Sequence, residues 1–389
     1  MADFVVFGED WGGLPSSTQH LITHLMKRHR VIWVNSIGMR SPKLRLRDIA
    51  RAYNKVTAMF QPRQHSYAAD TAPRPYIIEP KVIPFHGIKM VRAINKFLLR
   101  RSITALIKEH DFKEITLWTS LPTAVDIVGS LGEKNAIYYC GDDFEGLDGV
   151  DHHTIQPMEQ ELASKVDLIL VVNQELANKF PDSNTHILPH GVDYNLFSTP
   201  KSRPMDLPDN GPIVGFYGSI SAWLNVDMLD QSATAMPKWQ FVLIGDIKTD
   251  VSTLEKLPNV HFLGPKPHAQ LPAYVQHWDV AMLPFRHNRQ IEACNPLKLR
   301  EYLASGTPVA ATAFPAIEPY RDYVSIQQGK EPFFSVLQKA NKQAGLADAR
   351  QKAVAPESWE NRVAQLEALI DQLNQKQPET TTTLISNQA

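Results

Sequence analysis

Residues 295–312 read Asn-Pro-Leu-Lys-Leu-Arg-Glu-Tyr-Leu-Ala-Ser-Gly-Thr-Pro-Val-Ala-Ala-Thr. Pro296 suits the first turn of a helix and Asn295 suits its N-cap. Gly306 suits the helix end, and Pro308-Val-Ala-Ala311 reads as the start of a buried strand. Lys298 and Glu301 are three apart, so they share a face near the start of the helix. Free N–H groups and the helix dipole make that end a natural seat for a diphosphate. Lys298 would add a point charge there, and Glu301 could accept two ribose hydroxyls. The same spacing also fits a capped surface helix carrying an ordinary Lys–Glu ion pair.

On either side of this stretch, β-rich runs alternate with amphipathic helical patterns. Strands are expected at 3–7, 30–35, 115–118, 136–140 and 167–172, with a helix over 17–28. A proline-rich stretch near 198–212 breaks the pattern. A second series follows, with strands at 213–217, 240–244, 260–263, 280–283 and 308–311, and helices near 225–235, 269–276 and 296–305. Such alternation implies α/β architecture with parallel sheets covered on both faces. The expected layout is an N-terminal domain over 1–198, a linker over 199–212 and a C-terminal domain over 213–357. A helix over 358–373, with the potential to cross back to the first domain, and a polar tail over 374–389 complete it. Two α/β domains then face each other across a cleft, with ligands at the carboxyl ends of the strands.

Composition agrees with a globular two-domain chain: 389 residues, 43% hydrophobic, 21% charged and only two cysteines. The start of the chain lacks a basic segment followed by a long apolar core, so no signal peptide is expected. No apolar run is long enough to span a bilayer. The net charge of −1 conceals a strong asymmetry. From Lys27 to Lys108 there are 18 Lys and Arg against three acids, a net of +15, and the remainder carries −16. A segment this basic calls for an anionic partner.

The stretch 295–312 resembles the donor-binding helix of the GT-B glycosyltransferases, particularly bacterial members of the group 1, glycogen-synthase-like class. Other segments match that family in order. They are Ile187–Asp193 with Phe197, Val214–Ile220, Phe241–Asp246, Asn259–Gly264, Leu271–Tyr274 and Asp279–Pro284. The resemblance covers most of 3–325. It implies two Rossmann-like domains with a nucleotide-sugar bound mainly by the second, UDP or GDP being the expected nucleotide. Gly218 and Ser219 would lie beside the phosphates and Gly264 and Pro265 near the base. Lys298 would meet the diphosphate, Glu301 the ribose, and Asn295 would belong to the same donor site. Two departures stand out. Many relatives place a sugar-binding glutamate eight residues before the ribose glutamate; Ala293 stands there, with Glu292 one position away. The segment Ser219–Asn225 also lacks the usual Arg and Lys, which leaves Lys298, with Arg286 or Arg289 as helpers. The family implies no cofactor and no bound metal.

In the N-terminal half, Asp142 and Asp143 follow an expected strand, where a carboxylate could take a proton from an acceptor hydroxyl. They equally suit a turn that caps a helix. The resemblance implies that the loop with Gly12, Gly13 and Ser16 faces the acceptor, although Ser16 also suits a helix cap. No histidine or cysteine has metal-ligand or nucleophile spacing. Over 86–108, Lys89, Arg92, Lys96 and Arg100 form one helical stripe beside an apolar face, which reads as a membrane-surface helix. The pattern equally fits a helix that packs its apolar face inward and leaves the stripe solvated; the +15 total favours the membrane. Arg40, Lys43, Arg45, Arg47 and Arg51 add a second basic cluster. No motif supports nucleic acid as the anion.

The function expected is transfer of a sugar from a nucleotide diphosphate donor to a hydroxyl of a glycan, lipid-linked, in bacterial surface or exopolysaccharide synthesis. The place expected is the inner face of the cell membrane. The alternatives are a nucleotide-sugar epimerase of the same fold and a nucleotide-binding scaffold without catalysis.

Overall fold

A computed structural model describes residues 2–13, 16–39, 73–147 and 150–376. Two separate parallel sheets organise the chain. The first contains β1 (Asp3–Phe7), β2 (Arg30–Val34), β3 (Tyr76–Ile78), β4 (Ile115–Thr119), β5 (Asn135–Cys140), β6 (Leu168–Val171) and β7 (Thr185–Ile187), in the order β3-β2-β1-β4-β5-β6-β7. The second contains β8 (Ile213–Tyr217), β9 (Gln240–Ile244), β10 (Val260–Phe262), β11 (Val280–Leu283), β12 (Val309–Ala311) and β13 (Val324–Ile326), in the order β10-β9-β8-β11-β12-β13. Five of the first sheet's strands bury nearly every residue, as strands covered on both faces must. The edge strands β3, β7 and β13 have three residues each. They are too short to give a periodic signal, and the sequence reading did not anticipate them.

The connecting helices are α1 (Ser17–Leu25), α2 (Lys89–Glu109), α3 (His152–Ala163), α4 (Gln174–Ala177), α5 (Tyr194–Ser198), α6 (Val226–Ala235), α7 (Leu271–Val275), α8 (Arg289–Ala293), α9 (Leu297–Ala304), α10 (Phe333–Asn341), α11 (Ala347–Val354) and α12 (Trp359–Lys376). Several begin on side-chain caps: Ser16 accepts from the Gln19 amide, Asn225 from Met228 and Asn288 from Ile291. Each cap satisfies an N–H that the helix cannot, a contribution of about 1 kcal/mol. Asn295, expected to cap α9, does not. That helix starts after Pro296, and the Asn295 side chain is used elsewhere.

In each sheet the strand order reverses direction beside the first strand of the series, between β1 and β4 and between β8 and β11. Helices leave to opposite faces at such a point, which opens a crevice at the carboxyl ends of the strands. Gly8 and Ser120 mark it in the first domain, and Gly218 and Pro284 in the second.

The chain passes between the domains twice, and the two passages are bonded together. The Val192 amide donates to the Glu357 carbonyl at 3.0 Å, and the Trp359 amide donates to the Val192 carbonyl at 3.2 Å. Val192, Phe197 and Leu207 lie in the core of the second domain. The stretch 199–212 therefore runs along that domain, and the change of domain comes earlier, at Gly191. After Trp359 the chain returns: Trp359, Val363, Leu366, Ile370 and Leu373 all pack into the first domain's core. A Cβ on Gly191 would lie 2.6 Å from the Trp359 ring, so the glycine is what lets the two passages approach.

Truncating a fully buried tryptophan costs about 3–5 kcal/mol. Trp359→Ala should therefore lower the melting temperature clearly and loosen α12, read as faster proteolysis near the C-terminus. A variant that melts and cleaves like the wild type would show that α12 does not clasp the first domain.

Candidate functional site

The second domain's crevice is built from glycines and one lysine. Gly218, at φ 129°, follows β8, and its N–H donates to the Ile244 carbonyl at 2.9 Å. A Cβ on Gly245 would fall 2.0 Å from the Gly218 carbonyl oxygen, so these two turns touch. A Cβ on Gly218 would lie 3.0 Å from both Cε and Nζ of Lys298. Lys298 stands in the first turn of α9 with its ammonium 5.1 Å from the Trp223 ring, 5.4 Å from Phe216 and 5.9 Å from Phe285. Among the described residues nothing hydrogen-bonds to it and no carboxylate pairs with it; the Lys298–Glu301 ion pair that the spacing allowed does not form. Burial lowers its pKa, against the charge of Glu301. Lys298 is half-buried, so its ammonium gives up part of its hydration. A ring face returns only about 0.5–2 kcal/mol. The electrostatic demand for an anion at this point therefore remains open.

Glu301, one turn further on, is buried and already clamped. Its carboxylate accepts from the Tyr217 hydroxyl on one oxygen and from His268 Nε2 on the other, at 2.7 Å. Burial pulls the His268 pKa down, but the bond and charge of Glu301 outweigh it and leave the pKa raised. The Glu301 oxygens keep spare lone pairs, so ribose hydroxyls could still donate to them. Gly264, at φ 67°, has open space where a side chain would be, and its carbonyl accepts from the Gly245 amide at 3.0 Å. Pro265 beside it is exposed. Ser219 is half-buried beside Gly218.

Across the cleft, the two adjacent aspartates have separated into different roles. Asp143 is buried. Its carboxylate accepts from Lys179 Nζ at 2.9 Å and from Arg289 Nε at 3.2 Å. Burial would raise its pKa, but the Lys179 bond and both cations win and lower it. Lys179 is also bonded to the buried Glu159, at 3.0 Å. Asp143 is thus an anion held within an ion-pair network. Asp142 is the opposite case. Its side chain has no hydrogen-bond partner among the described residues. That side chain is exposed to solvent. Desolvation by the surrounding protein, and then the like charges of Glu9 and Asp143, raise its carboxyl to about 7, a shift that the solvent exposure moderates.

The remaining expected residues divide. Ser16 caps α1 and donates to Glu9 at 2.9 Å, so its hydroxyl is committed. Gly12 and Gly13 sit in the turn before it, with the Gly13 amide on the Asp10 carbonyl at 3.1 Å. Arg286 pairs with Asp227 at 3.0 Å, and Arg289 with Asp143 and Glu145, so neither helper stands beside Lys298 unengaged. Asn295 holds the domains together: it donates to the Val172 carbonyl at 2.9 Å and accepts from Arg300 at 2.6 Å. Glu292 is exposed and lines a small cavity of about 60 Å³ at the domain seam, with Glu175, Lys179, Asp143 and Arg289. His190 is buried and neutral, with burial and nearby arginines holding its pKa near 3. Ser17 and Tyr139 bond its Nδ1 at 2.7 and 3.1 Å. Burial likewise raises the pKa of both cysteine thiols, which removes them as nucleophiles. On α2 the expected basic stripe is incomplete. Arg92 turns inward, 22% exposed, to Asp126 at 2.6 Å and Glu161 at 2.8 Å. Lys89, Lys96 and Arg100 are exposed. The cluster from Arg40 to Arg51 lies outside the described residues. No helix among the described residues is long and apolar enough to cross a membrane.

Sequence reading missed the ring faces around Lys298 and the His268–Glu301–Tyr217 clamp. It also missed His20, which stacks on Trp359 at 4.8 Å and meets His268 at 5.7 Å across the seam.

Residues 211–353 match the family described as glycosyl transferases group 1. A Bacillus subtilis (strain 168) protein named as a teichuronic acid biosynthesis glycosyltransferase, TuaH, is 36% identical over 138 residues. That match spans 34% of this chain and 35% of the relative's own length. Solved structures match along almost the whole chain. Sucrose-phosphate synthase from Thermosynechococcus elongatus aligns at a TM-score of 0.68 and 15% identity, covering 97% of this chain and 100% of that one. Anabaena HepE in complex with UDP-glucose aligns at 0.66 and 13%, covering 96% and 100%. At these identities the likeness establishes the fold: two Rossmann-like domains in the GT-B arrangement, as expected from the sequence.

The two aspartates should respond differently to neutralisation. Asp143→Asn leaves Lys179 to Glu159 and Arg289 to Glu145, and should cost about 1–3 kcal/mol of stability. Asp142→Asn should cost little. With its folded pKa above the unfolded 3.8, Asp142 holds a proton longer in the folded state, so its contribution to stability declines as pH rises from about 4 to 7. The melting temperature of Asp142→Asn relative to wild type should therefore climb over that interval and level off above it. A gap that stays constant with pH would contradict the assignment.

Proposed function

We propose that this chain, which carries a group 1 glycosyltransferase domain over residues 211–353, moves a sugar from a nucleotide diphosphate donor to a hydroxyl of a glycan acceptor. The observation that carries this reading is the Lys298 ammonium, enclosed by three aromatic rings beside Gly218 and lacking an anionic partner. The diphosphate supplies the missing charge. It binds Lys298 and the start of α9, with the glycine turn of Gly218 and Ser219 close enough for backbone contact. As the glycosidic bond to the sugar breaks, negative charge grows on the departing phosphate. Lys298 and the helix N-terminus stabilise that charge more than they stabilise the ground state. Glu301, held by Tyr217 and His268, receives the ribose hydroxyls, and the base lies near Gly264 and Pro265.

Asp142 is the protein group assigned to take the proton of the acceptor hydroxyl. It stands at the carboxyl end of β5 facing the cleft, and a carboxyl near neutral pKa is well matched to general-base work. Asp143 takes no proton; with Lys179 and Arg289 it fixes the turn that carries Asp142. UDP is the favoured nucleotide, since the matching structure of HepE is a complex with UDP-glucose. We assign the acceptor to a lipid carrier at the inner face of the cell membrane, in surface-polysaccharide synthesis. The +15 segment and the pathway named for the Bacillus relative support that assignment.

The test is a thermal-shift screen against UDP, GDP, ADP, CMP and dTDP. A nucleotide at 100 times its dissociation constant stabilises by about 2.7 kcal/mol. UDP should shift the wild type and not Lys298→Ala; equal shifts in both would remove Lys298 from the site. Asp142→Asn should keep the shift and lose turnover by about 10²–10⁴-fold. Full turnover in that variant would instead hand the acceptor proton to the departing phosphate.

A further inference from the structure

Helix α2 presents an apolar ridge to solvent although it also has a buried side. Met90 is 73% exposed, Phe97 64% and Ile94 43%, and Ile88, just before the helix, is 51% exposed. Positions 90, 94 and 97 are spaced four and three apart, so they form one ridge along the helix. The opposite side holds Asn95, Leu99 and Ile103, all buried. The inward polar groups are fully engaged. Arg92 is forked onto Asp126 and also reaches Glu161. Asn95 donates to the Ile83 carbonyl at 2.9 Å and accepts from the Ile83 amide at 2.8 Å. Those bonds fix the rotation of the helix, so the ridge cannot turn inward without stranding buried charge.

Around the ridge the exposed ionic side chains of the helix body are cations: Lys89, Lys96, Arg100 and Arg101. Among the described residues none of these four has an ion-pair partner. A groove of about 390 Å³ runs alongside, lined by Lys81, Leu98, Arg101, Ser102 and Ala105. We infer that α2 docks this chain onto an anionic lipid bilayer by inserting Met90, Ile94 and Phe97 among the acyl chains, with the surrounding cations on lipid phosphates. Charge complementarity selects this occupant: an apolar ridge bordered only by cations matches an apolar interior bordered by anionic headgroups. A second copy of the chain would bring the same cations against themselves.

Topology gives the docked face a direction. The chain leaves the carboxyl end of β3, passes Ile83 and Ile88, and enters α2. The start of the ridge therefore lies at the same end of the sheet as Asp142, which follows β5. A bilayer held there lies along the cleft side of the first domain. The inference does not depend on the sugar-transfer reading, because its readout needs neither nucleotide nor acceptor.

The experiment uses the full chain with vesicles of phosphatidylcholine alone or mixed with phosphatidylglycerol. A polarity-sensitive fluorophore is placed by Phe97→Cys; Cys140 is buried, and wild-type protein taken through the same labelling gives the background from Cys294. The label should shift to the blue with mixed vesicles and be quenched by lipids brominated on their acyl chains. The combined variant Met90→Gln, Ile94→Gln and Phe97→Gln keeps every cation and should lose about tenfold or more in flotation, at unchanged melting temperature. Flotation of that variant equal to wild type would reduce the attachment to charge alone and overturn the inference. A label already blue in buffer would overturn it too, because the ridge would then be covered by protein in solution.

Discussion

Gly191 has no side chain, and the Trp359 ring occupies the space one would fill. This contact is where the chain leaves the first domain and where it returns, and paired amides join the two strands of the crossing. The rest depends on it. Each domain is a complete parallel sheet with its own core, and nothing in either sheet specifies how the other should face it. The crossing sets the two crevices opposite one another, with the carboxyl ends of both sets of strands toward the gap. Asn295 on Val172, Asn173 on Ala293 and Arg289 on Asp143 then fasten the seam. These are single hydrogen bonds and a partly exposed ion pair, each worth about 1 kcal/mol or less. Trp359 and α12 provide the permanent joint, and the polar contacts can open and close around it.

The cleft is electrostatically divided. On one wall stands a cation without an anion, Lys298; on the other, an anion without a cation, Asp142. Lys298 is half-buried and Asp142 exposed, and both lie at the switch point of a parallel sheet or beside it. Among the described residues other buried charges have partners: the fully buried Arg350 is held by the Tyr323, Gly306 and Gln343 carbonyls, and several more are ion-paired. Arg300 and Arg362 share Glu357, Lys179 joins Glu159 to Asp143, and Arg92 joins Asp126 to Glu161. Lys298 and Asp142 have neither kind of partner among the described residues, and this is why we propose them as the groups that meet the substrate.

Sequence reading reached the architecture because it depends on local regularities: buried strands of four to six residues, helices between them and glycine turns. Lys298 and Glu301 were legible for the same reason, three residues apart on one helix. What was not legible was set by contacts between distant segments. The rings around Lys298 come from Phe216, Trp223 and Phe285, which belong to three different segments of the second domain. The clamp on Glu301 uses His268, 33 residues earlier. Arg92 looked like one member of a solvated stripe because Asp126 and Glu161, 34 and 69 residues away, carry no signal at position 92. Adjacent aspartates looked equivalent, and only the position of Lys179 separates them. Asn295 has the side chain of a cap, but Arg300 and Val172 claim it first.

The central claim is that the open charge of Lys298 belongs to the diphosphate of a sugar donor, and that the chain discharges that donor onto an acceptor. The most direct measurement is release of nucleoside diphosphate from a panel of nucleotide-sugars, with and without a bacterial lipid extract as acceptor source. The account predicts that one nucleotide family is consumed, that release accelerates when extract is added, and that labelled sugar appears in the lipid fraction in equal amount. Tight donor binding with no release under any acceptor condition would contradict it, and would leave a nucleotide-binding protein whose cleft performs no transfer.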